Sequence, residues 1–182
     1  ALVGVIGGVC EELDVPYFSC RGYVSQSEMW RAAQRMREYQ SNNQTPYLIH
    51  LGDHDPSGED MSRDITDRLE MFTETSEGYE FYLKRIALNH SQVLQYNHPP
   101  NPTKLTDSRA NGYIDAYGLE CWELDALEPN VIVELVREEI LGIRDDDTLS
   151  EVEEQEEREK EELNQIRGRY NDVVRYLNNG HS

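Results

Sequence analysis

Two aspartates, Asp53 and Asp55, stand two residues apart in the string Gly52-Asp53-His54-Asp55-Pro56-Ser57-Gly58. Side chains at i and i+2 of an extended segment leave the chain on one side, so the two carboxylates point toward one place. Left unpaired they repel each other, and a divalent cation relieves that repulsion. A ligand set made only of oxygens suits Mg2+ or Mn2+. Gly52 permits close approach of the backbone, Pro56 stiffens the exit, and Gly58 keeps a side chain away from a bound ion. Glu59 and Asp60 follow at once, and Glu59 is a third candidate ligand. A rival reading of the same residues is structural: both aspartates cap a helix that starts near Ser57. His54 points away from its neighbours in an extended segment and is not expected to take part.

The elements around this string decide where it sits. Tyr47-Leu48-Ile49-His50-Leu51 is the clearest strand in the sequence and runs straight into it. Beyond it, Met61, Ile65, Leu69 and Phe72 keep the 3.6-residue period of a helix beginning at Ser57. Upstream, Leu2, Val3, Val5, Ile6, Val9 and Leu13 predict a helix. A glycine-rich phosphate loop at Gly4, Gly7 and Gly8 is the alternative, but the spacing is not GxGxxG. Val15 to Cys20 reads as a strand and Arg21-Gly22-Tyr23 as a loop. Ser25 or Ser27 caps a helix through about Gln40, with Arg31 and Arg35 on a solvated face. Tyr79 to Ala87 reads as another strand, and Asn97 to Asn101, with its prolines, as a stiff loop. Residues 107–118 give no clear signal, and Cys121 to Leu124 is a candidate short strand. A helix opens at Glu128-Pro129 and stops at Gly142. A long polar helix covers 149–178, with sparse apolar positions at Val152, Leu163, Ile166, Tyr170, Val173, Val174 and Leu177. Strands alternating with helices predict an α/β fold with a mainly parallel sheet, whose ligands lie at the carboxyl ends of the strands.

The 182 residues fit one α/β domain over 1–143 and an acidic helical extension over 144–182. No apolar run is long enough to cross a membrane. The formal charge is −19, and from Asp145 to Glu162 eleven acids stand against Arg158 and Lys160, a net of −9. Such acidity handicaps binding of nucleic acid by phosphate neutralisation alone, so metal ions and a partner domain would have to help. Cys10, Cys20 and Cys121 have no metal-ligand spacing and read as reduced core thiols of an intracellular protein.

Strand-Gly-Asp-x-Asp-x-x-Gly followed by a helix resembles the DxD motif of the Toprim domain. That domain is shared by type IA, II and VI topoisomerases, bacterial primases, the meiotic double-strand-break protein and OLD-type nucleases. Asp53-His54-Asp55-Pro56-Ser57-Gly58 is most similar to the topoisomerase VI A subunit branch. Together with Tyr17-Phe18-Ser19-Cys20-Arg21-Gly22-Tyr23 and Trp122-Glu123-Leu124-Asp125-Ala126-Leu127, it resembles phage and prophage Toprim-containing proteins over residues 1–140. The resemblance implies a Rossmann-like sheet of about four mainly parallel strands, helices on both faces, and Mg2+ at the strand ends. It implies phosphoryl transfer on a nucleic acid, DNA foremost, in the cytoplasm of a bacterial or phage-infected cell. Asp53 and Asp55 carry over as catalytic metal ligands. Arg21, Lys104 and Arg109 are candidate substrate contacts in loops flanking the strand ends, and Glu123 is a candidate member of the acidic cluster. One departure concerns the family's glutamate at the end of the first strand, for which Glu11 and Glu12 lie too far along a helix. That glutamate and its strand are expected upstream of residue 1, in another part of the parent chain, and a homodimer is compatible with the family.

Two other functions compete. A degenerate, non-catalytic Toprim module would bind a protein partner through the acidic helix. A binuclear metallophosphoesterase shares the Gly-Asp step but needs an Asp-x-His before it and a Gly-Asn-His after it, and neither exists here.

Overall fold

The computed structural model describes residues 2–19, 22–73 and 80–179. The chain divides into two compact units, Ala1–Ile140 and Leu141–Ser182. It is mixed α/β and rich in helix, with a long C-terminal helix.

In the first unit, helix α1 (Leu2–Glu12) buries Val9 and Cys10 despite its three glycines, so the N-terminal glycines belong to a helix and not to a phosphate loop. It ends where Asp14 turns to φ 53° and Val15 N–H donates back to the Cys10 carbonyl at 2.8 Å. Helix α2 (Gln26–Ser41) starts at Ser25, whose hydroxyl accepts from Glu28 N–H. Strand β1 (Tyr47–Leu51) lies parallel to β2 (Tyr82–Ala87), pairing Tyr47 with Tyr82 and His50 with Arg85, with an irregularity before Leu51 meets Ala87. Between them runs α3 (Pro56–Thr73). After β2 come α4 (His90–Tyr96), the two-residue strand β3 (Asn101–Pro102), α5 (Ala110–Tyr117) and β4 (Glu120–Cys121). A 3-10 turn at Leu124–Ala126 leads into α6 (Pro129–Ile143).

The parallel pair has helices on both faces. Leu48 and Leu83 face Met29, Ala33 and Met36 of α2 and Ile65 and Leu69 of α3. Ile49, Leu51 and Ile86 face Val9 and Cys10 of α1 and Val136 and Ile140 of α6. A third cluster joins Leu88 and Val93 to Trp122, Leu127 and Ile132. Fully buried side chains such as Leu69 and Ile132 each contribute about 1.5–3 kcal/mol relative to exposure.

The expected sheet of about four mainly parallel strands is corrected here. Among the described residues the parallel sheet has two strands, and β3 pairs with β4 antiparallel. Residues 15–19 are irregular and unpaired with any strand, because Pro16 lacks an N–H and Tyr17 and Phe18 lie largely exposed. Cys20 and Tyr79 lie outside the described residues. The second expected short strand shrinks to Glu120–Cys121, since the chain turns into the 3-10 element at Leu124. Residues 107–118, silent in the sequence, supply α5.

In the second unit, α7 (Asp146–Asn179) is one continuous helix, and its described side chains are almost all exposed.

Candidate metal centre

The acidic string occupies the turn between the carboxyl end of β1 and the amino end of α3. Asp55 is the N-cap of α3: its Oδ1 accepts from Gly58 N–H at 2.6 Å and from the Ser57 hydroxyl at 2.9 Å. Pro56 takes the first helical position, where its missing N–H costs nothing. Asp53 reaches the other way, and its Oδ1 accepts from Leu124 N–H at 2.8 Å, at the start of the 3-10 turn. Between them His54 pairs with Trp122 through two backbone bonds of 2.8 and 2.9 Å. The turn is thereby stitched to residues 122–124, with Tyr113 donating its hydroxyl to the His54 carbonyl at 2.8 Å. Burial pushes that Tyr113 hydroxyl well above its ordinary range.

Gly58 is required by the tightness of this turn. A Cβ there would stand 2.0 Å from the Asp53 carbonyl oxygen. Gly52 has less constraint, with the nearest atom to its missing Cβ being Arg85 Nη1 at 3.1 Å.

Arg85, opposite His50 in the parallel pair, holds the turn from below. Its guanidinium donates to the carbonyls of Asp53 (2.7 Å), Gly58 (2.8 Å), Gly52 (3.1 Å) and Leu88 (3.2 Å). It also pairs with Glu59 Oε1 at 3.2 Å. Burial lowers its pKa, opposed by the charges of Glu59, Asp53 and Asp55. Glu59 Oε1 further meets His54 Nδ1 at 3.0 Å. Burial alone would raise the Glu59 carboxyl, but the His54 hydrogen bond and the Arg85 charge bring it below its ordinary value. His54 itself is 1% exposed, with Tyr117 edge-on at 4.6 Å and Trp122 stacked at 5.9 Å. His50 meets the Ser62 hydroxyl at 2.9 Å.

A single pattern runs through the three carboxylates. Asp53, Asp55 and Glu59 each commit one oxygen to the protein, and among the described residues no hydrogen bond or ion pair falls on the second oxygen of any of them. Asp53 is exposed and the other two are half-buried, so those free oxygens are what the site offers a ligand. No group of three or more His, Cys, Asp or Glu side chains among the described residues is placed to hold a metal ion unaided. The donor set nevertheless fits a hard cation. Mg2+ is ordinarily held by one or two carboxylates and completes its shell with water and phosphate oxygens.

The candidate phosphate contacts fare differently from one another. Lys104 is exposed and makes no ion pair among the described residues. Arg109 is held by Asp107 at 2.7 Å, by the Tyr23 hydroxyl and by Asp60 at 3.6 Å, so it ties three segments together. Asp60 is occupied by Tyr23, Arg63 and Arg109. Arg21 lies outside the described residues. Glu123 is exposed beside the Asp53–Leu124 bond, and its side chain makes no hydrogen bond or ion pair among the described residues. Arg85 and the pairing of buried His54 with Glu59 were not expected from sequence; a cation inside the apolar run Tyr82–Ala87 was the available signal for Arg85.

Compared with known proteins, the chain matches no family model, no curated protein and no solved structure.

Proposed function

We propose that the first unit is a Toprim-like domain that binds Mg2+ or Mn2+ at Asp53 and Asp55 and serves metal-dependent phosphoryl transfer on a nucleic acid, DNA foremost. The likeness lies in the strand, acidic turn and helix, not in the size of the sheet. The observation that carries the reading is the division within each aspartate at the carboxyl end of β1. One oxygen is fixed by a backbone N–H, and the other takes no hydrogen bond or ion pair among the described residues. Fixed carboxylates with a free oxygen are preorganised ligands, because their rotamers are set before any ion arrives.

Asp53 and Asp55 would hold the ion, with Glu59 near enough to Arg85 and His54 to serve as a support. When bound, the ion supplies neutralisation of phosphate charge and orientation of the reacting oxygens. The chain's own residues do the positioning: Arg85 clamps the turn, and the α3 amino end adds its partial positive charge. The overall acidity of the chain makes that neutralisation necessary, since its 36 acidic residues outnumber its 17 lysines and arginines.

The test uses Asp53→Asn/Asp55→Asn, which keeps an acceptor for Leu124 and Gly58 N–H and removes the charge. Calorimetric titration with Mg2+ and Mn2+ is expected to give saturable heat for the parent chain and none for the double variant. Thermal unfolding should show an upward shift with Mg2+ only in the parent. Binding would then justify assays on supercoiled and linear DNA. No binding by the parent would sink the reading and favour the non-catalytic one, in which Asp53 anchors the 3-10 turn and Asp55 caps α3.

A further inference from the structure

Helix α7 exposes an apolar stripe whose spacing is not that of a helix lying on a globular core. From Leu149, positions separated alternately by three and four residues are Leu149, Val152, Glu156, Glu159, Leu163, Ile166, Tyr170, Val173 and Leu177. Seven of the nine are apolar. This 3.5-residue repeat, kept over four heptads, is the a/d seam of a two-stranded coiled coil. In the structure the seam is open: Val152 is 51% exposed, Leu163 and Ile166 65%, Tyr170 66% and Leu177 60%. Within the helix, Arg158–Glu154 at 3.6 Å supports a polar face and Lys160–Glu156 at 3.1 Å draws a seam glutamate toward a flanking cation, while the apolar seam positions stay exposed. Gly168 falls outside the seam, on the face that a coiled coil turns to water.

The distribution of charge says what covers it. Asp145 to Glu162 carries a net of −9, whereas 163–179 carries Arg167, Arg169 and Arg175 against Asp172 alone. A parallel pair of these helices would stack the two acidic halves and set Glu156 and Glu159 against their own copies, which is destabilising. Reversing one helix brings each acidic half against a basic half. Val152 then meets Tyr170 of the second copy, Leu149 meets Val173, and Glu156 comes level with Ile166, beside Arg167 and Arg169. Long glutamate side chains at such positions lay their methylenes on the seam and carry their carboxylates out to the flanking guanidinium groups.

We infer that α7 pairs with a second copy of the same chain as an antiparallel coiled coil over Leu149–Leu177. The inference is independent of the metal reading, since it is argued from the residues of α7 alone. It makes the acidic helix the place where two copies meet, in preference to a surface for an unrelated basic protein.

Sedimentation equilibrium on the full chain is expected to show a dimer that weakens as salt rises, because its charges attract across the seam. Ile166→Asp should raise the dimer dissociation constant about 100-fold by setting a charge in the seam. The emission of Trp30 and Trp122, both in the first unit, should stay unchanged and show that the variant folds. Orientation is read by disulfides, with the parent chain as control for its own cysteines. A mixture of Val152→Cys and Tyr170→Cys chains should cross-link, and Ile166→Cys alone should not. A monomer at every accessible concentration overturns the inference. So does a dimer strengthened by salt, or one in which Ile166→Cys cross-links to itself while the mixture does not.

Discussion

Arg85 and His50 face each other across the parallel pair, and their burial shapes the chemistry of the acidic turn. A guanidinium that is 11% exposed is tolerable because carbonyls and the Glu59 carboxylate take up its two terminal nitrogens, although its buried Nε has no hydrogen-bond partner among the described residues. The same charge acts on His50. Burial first, and then Arg85, push the His50 pKa down from 6.5 to about 4, with Glu59 opposing. A histidine whose folded pKa is depressed is neutral in the fold, so the unfolded chain binds the extra proton between pH 6.5 and about 4. Its contribution to stability is therefore whole above pH 6.5 and lost as pH falls through that window. His50→Gln removes the proton-binding group and can still meet Ser62. The stability lost between pH 7 and pH 5 should then shrink by about 1–2 kcal/mol, read from urea midpoints. Equal losses in parent and variant would mean that His50 titrates normally in the fold. Asp53 and Asp55 were legible in the sequence because their spacing and place after a strong strand are local facts. Arg85 was not, because a cation in a strand reads as a surface residue until the register sets it beneath the turn.

At the level of elements, the join between β1 and α3 has its own signature at Gly58. Glycine inside a helix ordinarily costs roughly 1 kcal/mol relative to alanine, so Gly→Ala there is ordinarily stabilising. Position 58 should reverse that sign, since a Cβ would lie 2.0 Å from the Asp53 carbonyl oxygen, backbone that Arg85 also holds. Gly58→Ala is expected to destabilise the first unit by about 1–3 kcal/mol, an overpacking cost. Gly112→Ala in α5, where nothing lies within 4 Å, should be neutral or stabilising. Denaturant unfolding followed by tryptophan emission decides the matter, and a stabilised Gly58→Ala would show that the turn has room for a methyl group. The same contrast explains which elements the sequence revealed. β1, α2, α3 and α6 announce themselves by apolar period, by the Ser25 cap of α2 and by Pro129 at the first position of α6. Over its described residues, 15–19, the expected strand failed because an apolar run with Pro16 still needs a neighbour to pair with, and none is offered among the described residues. α5 was silent because its two buried residues, Ala110 and Tyr113, are too few to set a period.

For the molecule as a whole, the two units rest on different kinds of interaction. The first buries three apolar clusters around a parallel pair and contains both tryptophans, Trp30 and Trp122. The second is dominated by a 34-residue helix whose described side chains are almost all exposed and whose internal ion pairs join neighbours one turn apart. Helices of that kind gain little from tertiary burial and melt gradually, whereas a packed core unfolds as one cooperative step. Far-UV circular dichroism weights α7 heavily, and tryptophan emission reports the first unit alone. The two probes should therefore give non-coincident urea transitions, with dichroism lost over a broader range. Raising the protein concentration should move the dichroism curve toward higher urea if α7 pairs with a second copy, because association links helix formation to mass action. The emission curve should stay where it is, since the core of the first unit needs no partner to close. Coincident transitions at all concentrations would show that α7 draws its stability from the same cooperative unit as the core.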